Sequence, residues 1–251
     1  MSDKVLLVTG GGRGIGAATC RLAGTRGFAV AVNYRDKEDA AAQVVAEIER
    51  AGGRAAAIRA DVARESEVER LFAETEARLG PITHLVNNAG VTGRAARLDE
   101  VSTETLRAVF DLNILGAFLC ARAAARRMST RHGGKGGVIV NISSGAATIG
   151  SPGEWIWYAA SKAAVDTLTL GLARELAREG VRVNSVQPGL VATEIHSFSS
   201  SGIEDRVGKL APNIPMGRAG TAEEVAETIL FLLSDAAAYV TGAVLRVAGG
   251  R

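Results

Sequence analysis

Short apolar runs rich in β-branched residues alternate along the chain with longer alanine-rich runs of amphipathic character. The first kind of run predicts β-strands and the second predicts helices. The predicted strands are residues 5–9, 29–33, 55–59, 84–86, 137–142, 182–186 and 243–247. The predicted helices are residues 15–26, 37–51, 65–79, 103–128, 156–178 and 222–234.

This alternation is typical of repeated βαβ units over a parallel sheet. Several of the strands are apolar throughout, which indicates that helices cover both faces of the sheet. Right-handed crossovers then give a doubly wound, Rossmann-like α/β fold with a seven-stranded parallel sheet and ligands at the carboxyl ends of its strands. No composition shift marks a linker, so residues 1–251 are predicted to form a single domain.

One segment, residues 193–220, breaks the alternation with a serine-rich stretch at 197–202, followed by Pro212 and Pro215. Connections this long in a compact domain are usually functional lids or disordered segments. The position of the segment after a late strand favours a lid over the substrate site. A plain surface loop is the alternative interpretation.

Charge and composition exclude several classes of protein. The 251 residues carry 29 basic and 27 acidic side chains, interspersed, for a net charge of +2, so no nucleic-acid-binding arm is indicated. The chain shows neither a secretory signal nor an apolar run of membrane-spanning length, so we expect a cytoplasmic protein without a membrane partner. Cys20 and Cys120 lack metal-ligand or redox spacing, so we expect buried free thiols and no metal site.

A glycine-rich turn directly follows the first predicted strand and opens the first helix. Glycines at this place allow a tight turn and a close approach of the backbone to a pyrophosphate at the helix N-terminus. The candidate cofactor contacts in this turn are Gly10, Gly12, Arg13, Gly14, Ile15 and Gly16. No Gly-Lys-Ser/Thr follows, so a Walker phosphate loop is excluded, and a glycine-rich turn without a ligand is the alternative.

The end of the second strand bears on which nicotinamide cofactor is bound. An NAD-binding fold often places an acidic residue there against the ribose 2′-hydroxyl, whereas this strand ends in Asn33, Tyr34 and Arg35. Arg13 and Arg35 could pair with a 2′-phosphate through charge-assisted hydrogen bonds, so NADP(H) is predicted to be preferred. Asp36 lies close enough to keep NAD(H) possible.

Further polar or small residues follow the third, fourth and fifth strands. Asp61 could accept a hydrogen bond from the adenine amino group or could cap the next helix. The candidate cofactor contacts after these strands are Asp61, Val62, Asn88, Ala89 and Gly90. Asn113 lies among apolar neighbours in the long helix, which suggests a buried amide that needs partners, and Ser144 follows the fifth strand.

Tyr158 and Lys162 lie four residues apart in an alanine-rich helical stretch, so their side chains lie on one face of the helix. A nearby cation favours the phenolate and lowers the pKa of the tyrosine, which makes the pair a plausible proton-transfer group. The spacing alone is also compatible with a solvated helix face.

Taken together, these motifs resemble the short-chain dehydrogenase/reductase family over essentially the whole chain. The matching segments are residues 9–16, 61–62, 87–90, Asn113, Ser144, 158–162, 188–193 and 239–242. Residues 32–35 and 214–216 most resemble glucose-dehydrogenase-like and 3-oxoacyl-carrier-protein-reductase-like members. The resemblance implies a single dinucleotide-binding catalytic domain that assembles as a homotetramer or homodimer through the Tyr/Lys helix and the last strand.

The resemblance also implies a catalytic tetrad of Asn113, Ser144, Tyr158 and Lys162. In such a site the tyrosine exchanges a proton with the substrate oxygen, and the serine forms a hydrogen bond with that oxygen. The lysine lowers the pKa of the tyrosine and binds the nicotinamide ribose, while the asparagine holds a water molecule. The residues that would contact the nicotinamide are Pro188, Gly189, Val191 and Thr193. The interval between serine and tyrosine is one residue longer than is common, so Ser143 could share the serine's role.

The predicted function is an NADP-preferring oxidoreductase that interconverts a ketone and a secondary alcohol of a small molecule. A non-catalytic NAD(P)-binding sensor or scaffold is one alternative, and a sugar-nucleotide epimerase or dehydratase is another. Trp155 and Trp157 could line the substrate pocket or a subunit interface. The remaining candidates are His84 and His132, expected to be structural or solvent-facing, and His196, a possible substrate contact in the lid.

Overall fold

The computed structural model of the protein describes residues 4–193 and 207–251. Within these residues seven strands form one sheet. They are β1 (Val5–Val8), β2 (Ala29–Tyr34), β3 (Arg54–Arg59), β4 (His84–Asn87), β5 (Gly137–Ile142), β6 (Val181–Pro188) and β7 (Val244–Val247). All pairings are parallel and the order is β3-β2-β1-β4-β5-β6-β7, which confirms the predicted doubly wound α/β fold.

Helices connect these strands and cover both faces of the sheet. They are α1 (Gly14–Thr25), α2 (Glu38–Arg50), α3 (Glu65–Leu79), α4 (Thr103–Phe110), α5 (Ala117–Met128), α6 (Ala146–Ile149), α7 (Ile156–Leu176) and α8 (Ala222–Leu233). A π-helical segment, Asp111–Gly116, joins α4 to α5. The predicted helix 103–128 therefore contains a wider turn that the sequence pattern did not indicate, and α6 was not predicted.

The strand order reverses between β1 and β4, which locates the binding cleft. Val8 pairs with Val32 on one side and with Val86 on the other, so β1, β2 and β4 end at the same edge of the sheet. In open parallel sheets, ligands bind outside the carboxyl ends of the strands at this reversal point. The residues that follow these three strands therefore converge on one cleft.

Strand side chains point alternately to the two faces of the sheet, and both faces are buried. Leu7 and Leu85 pack in the cluster under α3 and α5, whereas Leu6 and Val86 pack in the cluster under α1 and α8. Both clusters are apolar because each strand has helices above and below it. This explains why the strands read as continuous apolar runs, and it makes the sheet edge a fixed support for the site.

The helical stretch Thr103–Met128 corrects one expectation. The stretch is long and apolar enough to cross a membrane, and its most apolar window has a mean hydropathy of 1.5. No apolar run of this length was expected from the sequence. Half of that window is buried inside the protein. Because this half packs in the domain core, packing is a sufficient reason for its composition, and the absence of a membrane partner stays a prediction.

The two cysteines and His84 are structural. Both thiols are buried and free, as expected, and burial raises the pKa of Cys120 to about 12. His84 is buried beside Phe28, hydrogen-bonds the Thr83 hydroxyl at 2.7 Å, and has its pKa lowered to about 4, chiefly by burial. These groups lie in the core and do not line the cleft.

The two ends of the long connection after β6 meet each other. Val191 forms a parallel bridge with Gly220, and the Gly220 N–H donates to the Leu190 carbonyl at 3.0 Å. Residues 211–213 form a short 3₁₀ helix. His196 and the serine-rich stretch at 197–202 lie outside the described residues, so the substrate lid stays a prediction.

Candidate active site

The glycine-rich turn is held in place by Asn33 at the end of β2. The Asn33 Oδ1 accepts the Gly10 N–H at 3.1 Å, while its Nδ2 donates to the Ala60 carbonyl at 3.1 Å. Asn33 is buried and so links the ends of β1, β2 and β3. A residue predicted as a cofactor contact therefore also positions the loop that would bind the cofactor.

The turn also packs closely on the end of β4. Asn88 donates its side-chain amide to the carbonyls of Thr9 and Gly10, at 2.9 and 3.1 Å. A Cβ on Gly16 would lie 2.4 Å from the Gly10 carbonyl oxygen, so no side chain fits there. Gly10 has a φ of +62°, a conformation that favours glycine. A side chain at Gly16 would therefore face the loop backbone, and Gly16 lines neither cavity, so its direct contact with a cofactor stays a prediction.

The N-terminus of α1 is suited to bind an anion. Its N-cap residue, Arg13, makes no side-chain capping hydrogen bond, and the first turn contains no acidic residue. The free N–H groups and the positive end of the helix dipole therefore face a cavity of about 310 Å³. The predicted cofactor residues on its wall are Gly10, Gly12, Arg13, Gly14, Ile15, Asn33, Tyr34, Arg35, Asp61, Val62, Asn88, Ala89, Gly90 and Thr193.

Charged side chains of both signs surround the outer part of this cavity. Arg35 Nε lies 2.7 Å from the Asp36 carboxylate, and both side chains are more than half exposed. Lys37 also lines the cavity and was missed, although it follows Asp36 directly in the sequence. The wall thus carries Arg13, Arg35 and Lys37 against Asp36 and Asp61.

Asp61 stabilises the turn that follows β3. Its Oδ1 accepts the Ala63 N–H at 3.1 Å, while the N-cap of α3 is Arg64. The alternative that Asp61 caps the next helix is therefore wrong. Its side chain lines the cavity, where a carboxylate can accept a hydrogen bond from an adenine amino group.

A second cavity of about 430 Å³ lies beside the first. Both cavities are lined by Ile15, Asn88, Gly90, Thr92 and Thr193. They therefore form one cleft, with volumes suited to a small-molecule or cofactor site. The predicted residues on the second wall are Ser144, Tyr158, Lys162, Pro188, Gly189, Val191 and Thr193. A dinucleotide fits this arrangement, with its phosphates at α1 and its reactive end near Tyr158.

The hydroxyls of Tyr158 and Ser144 are hydrogen-bonded to each other on this wall. Burial raises the pKa of the Tyr158 phenol, and the bond from Ser144 partly opposes that shift. The pKa of Tyr158 is therefore not lowered overall in the cofactor-free protein, because burial outweighs the groups that favour the phenolate. The phenol is therefore protonated at neutral pH and suited to donate a proton.

Lys162 is buried directly beneath Tyr158. Its Nζ donates to the Ile142 carbonyl at 2.8 Å and lies 5.8 Å from the centre of the Tyr158 ring. Burial lowers the pKa of Lys162 to about 8, while the negative charge of Asp166 acts in the opposite direction. The ammonium form thus prevails at pH 7 and is lost as the pH rises through 8.

Asn113 lies behind the cleft in the π-helical segment. Its Oδ1 accepts the Val91 N–H at 2.9 Å, and its Nδ2 donates to the Val91 carbonyl at 2.9 Å and the Ser161 hydroxyl at 3.0 Å. Asn113 Oδ1 and Lys162 Nζ lie 3.2 and 3.3 Å from the position of a Cβ on Gly90. A side chain at Gly90 would therefore crowd both groups, and the joint action of Asn113 and Lys162 in a tetrad stays a prediction.

The structure distinguishes the two candidate serines. Ser143 is buried and donates its hydroxyl to the Lys162 carbonyl at 3.0 Å, so it anchors α7 to β5. Ser144 bonds Tyr158 and accepts the Ala146 N–H at 3.1 Å. Ser143 also lines the second cavity, so the alternative that it shares the role of Ser144 stays a prediction.

Both tryptophans are buried, which excludes the interface interpretation. Trp157 donates Nε1–H to the Thr92 carbonyl at 2.8 Å and packs in the core without lining either cavity. Trp155 donates to the Gly93 carbonyl at 3.1 Å and lines the second cavity. Only Trp155 is thus placed to contact a substrate. Cavity residues that were not predicted include Leu112, Glu154, Arg246 and Arg251.

Comparison with known proteins places this site in a family. The family profile described as Enoyl-(Acyl carrier protein) reductase matches residues 10–251. The uncharacterized oxidoreductase YgfF of Escherichia coli (strain K12) is 47% identical over 247 residues, which cover 98% of this chain and 99% of that protein. The chain belongs to the short-chain dehydrogenase/reductase family. It is therefore an NAD(P)-binding oxidoreductase of small molecules, and the interpretation as a non-catalytic sensor is not supported.

Other short-chain dehydrogenase/reductase proteins match the chain over its length. A 3-oxoacyl-[acyl-carrier-protein] reductase of Synechocystis is 43% identical over 251 residues and covers 100% of this chain and 97% of that protein. The crystal structure of a short chain dehydrogenase from Burkholderia cenocepacia J2315 in complex with NADP has a TM-score of 0.90 at 34% identity. That match covers 98% of this chain and 97% of the other.

The packing of the glycine-rich turn predicts that Gly16→Ala weakens cofactor binding. The added methyl group would meet the Gly10 carbonyl oxygen at 2.4 Å, so the loop must shift. Overpacking of this kind costs about 1–3 kcal/mol, which corresponds to about a 5- to 150-fold rise in the Kd of NADP⁺. Isothermal titration calorimetry measures this constant.

Gly171→Ala is the matched control, because nothing lies within 4 Å of a Cβ at that helical position. We expect its Kd for NADP⁺ to equal that of the wild type. An unchanged Kd in Gly16→Ala would show that the turn tolerates a side chain at this point.

Proposed function

We propose that the protein is an NADP(H)-preferring oxidoreductase that interconverts a ketone and a secondary alcohol of a small molecule, with Tyr158 as the acid/base. The observation that carries this proposal is the placement of the Tyr158 phenol and the Ser144 hydroxyl together on the wall of a cleft that continues to the glycine-rich turn. Two adjacent hydroxyl groups are suited to hold one carbonyl oxygen between them.

When bound, the nicotinamide supplies or accepts the hydride. Tyr158 donates its phenolic proton to the substrate oxygen in reduction and accepts it in oxidation. Ser144 donates a hydrogen bond to the same oxygen and so orients the carbonyl. Because the substrate oxygen would take the place of the direct contact between the two hydroxyls, it would approach both of them at once.

Lys162 supports the charge that Tyr158 develops when it gives up its proton. Its ammonium group lies beneath the phenol ring and is held by the Ile142 carbonyl. A buried cation at this distance favours the phenolate over the phenol. Its side chain also lines the cleft, where it can bond the nicotinamide ribose. Asn113, which makes three hydrogen bonds of its own, positions the segment at Val91 beside Lys162.

The preference for NADP(H) rests on the basic side chains around the first cavity. Arg13, Arg35 and Lys37 line the wall where β2 ends, and Asp36 is already paired with Arg35. A 2′-phosphate in this place would gain charge-assisted hydrogen bonds from the arginines. The NADP in the Burkholderia cenocepacia relative agrees with this proposal. NAD(H) is the alternative cofactor, because the second oxygen of the Asp36 carboxylate can accept a hydrogen bond from a ribose 2′-hydroxyl while the first stays paired with Arg35.

An epimerase or dehydratase is the weaker alternative. The relatives that match the chain along its length are described as an oxidoreductase and a 3-oxoacyl-[acyl-carrier-protein] reductase, which favours the oxidoreductase. We also propose that residues 1–251 act as one catalytic domain in the cytoplasm.

We propose a homotetramer, or a homodimer, formed through α7 and β7. Exposed apolar side chains on and near these elements support it: Leu170 is 42% exposed, Leu245 is 38% exposed and Tyr239 is fully exposed. Exposed apolar side chains of this kind often mark interfaces. Light scattering should give a multiple of the 26.0 kDa chain mass, and Leu245→Glu should lower it. A monomeric wild type would contradict the assembly.

Tyr158→Phe tests the proposed acid/base. We expect kcat for carbonyl reduction to fall by about 10²–10⁴-fold, because general acid catalysis contributes a factor of that size. The Kd of NADPH should change little, because the ring that lines the cleft is retained. Stopped-flow measurement with a carbonyl panel and a fluorescence titration provide the two readouts.

Tyr239→Phe is the control, because its side chain is fully exposed and lies outside both cavities. It should behave as the wild type does. A Tyr158→Phe enzyme that keeps its turnover would rule out the phenol as the proton donor.

The double variant Arg13→Ala/Arg35→Ala tests the cofactor preference. Loss of charge-assisted hydrogen bonds to a 2′-phosphate should raise the Kd of NADPH by about tenfold or more. NADH lacks this phosphate, so its Kd should rise far less. Fluorescence titrations with both cofactors measure the ratio, with Arg70→Ala as a control outside both cavities. Equal losses would show that the 2′-phosphate is bound elsewhere.

A further inference from the structure

Arg246 on β7 is a cavity residue that the proposed reaction does not use. It lines the second cavity together with Tyr158, on the side where the chain continues past Ser144 into α6. Its guanidinium is held by oxygen atoms: Nη2 donates to the Thr148 hydroxyl and, at 3.2 Å, to Gln187 Oε1, and Nη1 lies 3.4 Å from the main-chain oxygen of Arg251, the last residue of the sequence. The side chain is thus fixed at the cavity wall.

A half-buried carboxylate, that of Asp166, orients this arginine through Gln187 without touching it. Asp166 accepts the Gln187 Nε2–H at 2.7 Å and the Ser185 hydroxyl at 3.0 Å. Gln187 is buried, so its amide oxygen is turned away from Asp166 and towards Arg246. Because the amide group separates the two charges, the guanidinium keeps its positive charge available to a ligand. Across residues 4–193 and 207–251, no acidic side chain forms an ion pair with Arg246.

The charged side chains of the second cavity, like Arg246, are mostly positive. Besides Arg246, the charged side chains on its described wall are Lys162, Arg251 and Glu154. Three cationic side chains thus face one side-chain carboxylate on this wall. A cleft lined mainly by one sign of charge concentrates ligands of the opposite sign.

The free donors of Arg246 show where an anion would bind. A guanidinium has five N–H groups. The Nε and Nη2 groups serve Gln187 and Thr148, whereas Nη1 makes only the 3.4 Å contact with the Arg251 main-chain oxygen. Nη1 therefore keeps one N–H free and another in a long contact. A ligand oxygen that replaced the Arg251 oxygen would gain both donors.

We propose that Arg246 binds a carboxylate of the substrate, at a distance from the reacting carbonyl, so that the enzyme acts on oxo acids and the corresponding hydroxy acids. The inference rests on the proposed function, because it takes the carbonyl to lie at Tyr158 and Ser144. A carboxylate fits better than a neutral polar group because it forms charge-assisted hydrogen bonds with a guanidinium that no acidic side chain of the described residues contacts directly.

The kinetic test uses 4-oxopentanoate and 5-oxohexanoate, each beside its methyl ester, at saturating NADPH. We expect Arg246→Gln to lower the acid-to-ester ratio of kcat/KM by about 10- to 100-fold, the loss of a charge-assisted hydrogen bond, mainly through KM. Arg246→Lys should recover part of the ratio, because it restores the charge without the planar fork. Equal losses on acid and ester would overturn the inference.

Arg50→Gln in the last turn of α2 is the matched control, because it removes one positive charge outside both cavities. Its acid-to-ester ratio should equal that of the wild type. Light scattering of Arg246→Gln should give the wild-type mass. If Arg246→Gln changes the mass of the assembly and lowers kcat/KM equally for the acid and the ester, Arg246 is an interface residue. That result would overturn the inference.

A binding measurement tests the inference independently of turnover. Calorimetric titration of the NADP⁺-loaded protein with the two oxo acids should give a Kd that rises about 10- to 100-fold in Arg246→Gln. An equal Kd in both proteins, or no binding to the wild type, would overturn the inference. If the wild type reduces neutral ketones but not oxo acids, the inference is also overturned. The proposed function would still hold in that case. Absence of all carbonyl turnover with NADPH would count against the proposed function, while the titration would still decide the role of Arg246.

Discussion

A buried ammonium group, that of Lys162, is the constraint around which the site is built. A charge removed from water is costly unless polar groups surround it. Lys162 meets this requirement through the Ile142 carbonyl at the end of β5, to which its Nζ donates at 2.8 Å. This hydrogen bond joins α7 to the end of β5. Tyr158, one turn earlier on α7, is thereby placed above the cation and against Ser144.

The burial that fixes these groups also changes their acidity, in opposite directions. Burial raises the pKa of the Tyr158 phenol and lowers the pKa of the Lys162 ammonium to about 8. The cofactor-free site therefore holds a protonated tyrosine beside a lysine whose charge is sensitive to moderately alkaline pH. Charges brought in by a cofactor would favour the ammonium again, so proton transfer is expected to be most effective in the loaded cleft.

Much of this architecture could be predicted from the sequence. The strands were predictable because a sheet that is covered on both faces needs continuous apolar runs. The glycine-rich turn was predictable because its close packing leaves no room for a side chain at Gly16, so the sequence must carry glycine there. The π-helical turn at Asn113 was not predictable, because its wider turn depends on tertiary packing. The different partners of Ser143 and Ser144 depend on how α7 packs on β5, and the rise in the pKa of Tyr158 depends on burial, so neither was predictable. Arg246 gave no signal, since an arginine in an edge strand usually faces solvent.

The most direct test of the account is a crystal structure of the protein with NADP⁺ and a secondary alcohol that it oxidises. The account predicts the phosphates at the N-terminus of α1, and the alcohol oxygen within hydrogen-bonding distance, about 2.5–3.0 Å, of both the Tyr158 and Ser144 hydroxyls. It also predicts the alcohol carbon about 3–3.5 Å from the nicotinamide carbon that accepts the hydride. An alcohol oxygen in contact with neither hydroxyl, while the nicotinamide occupies the second cavity, would contradict the central claim.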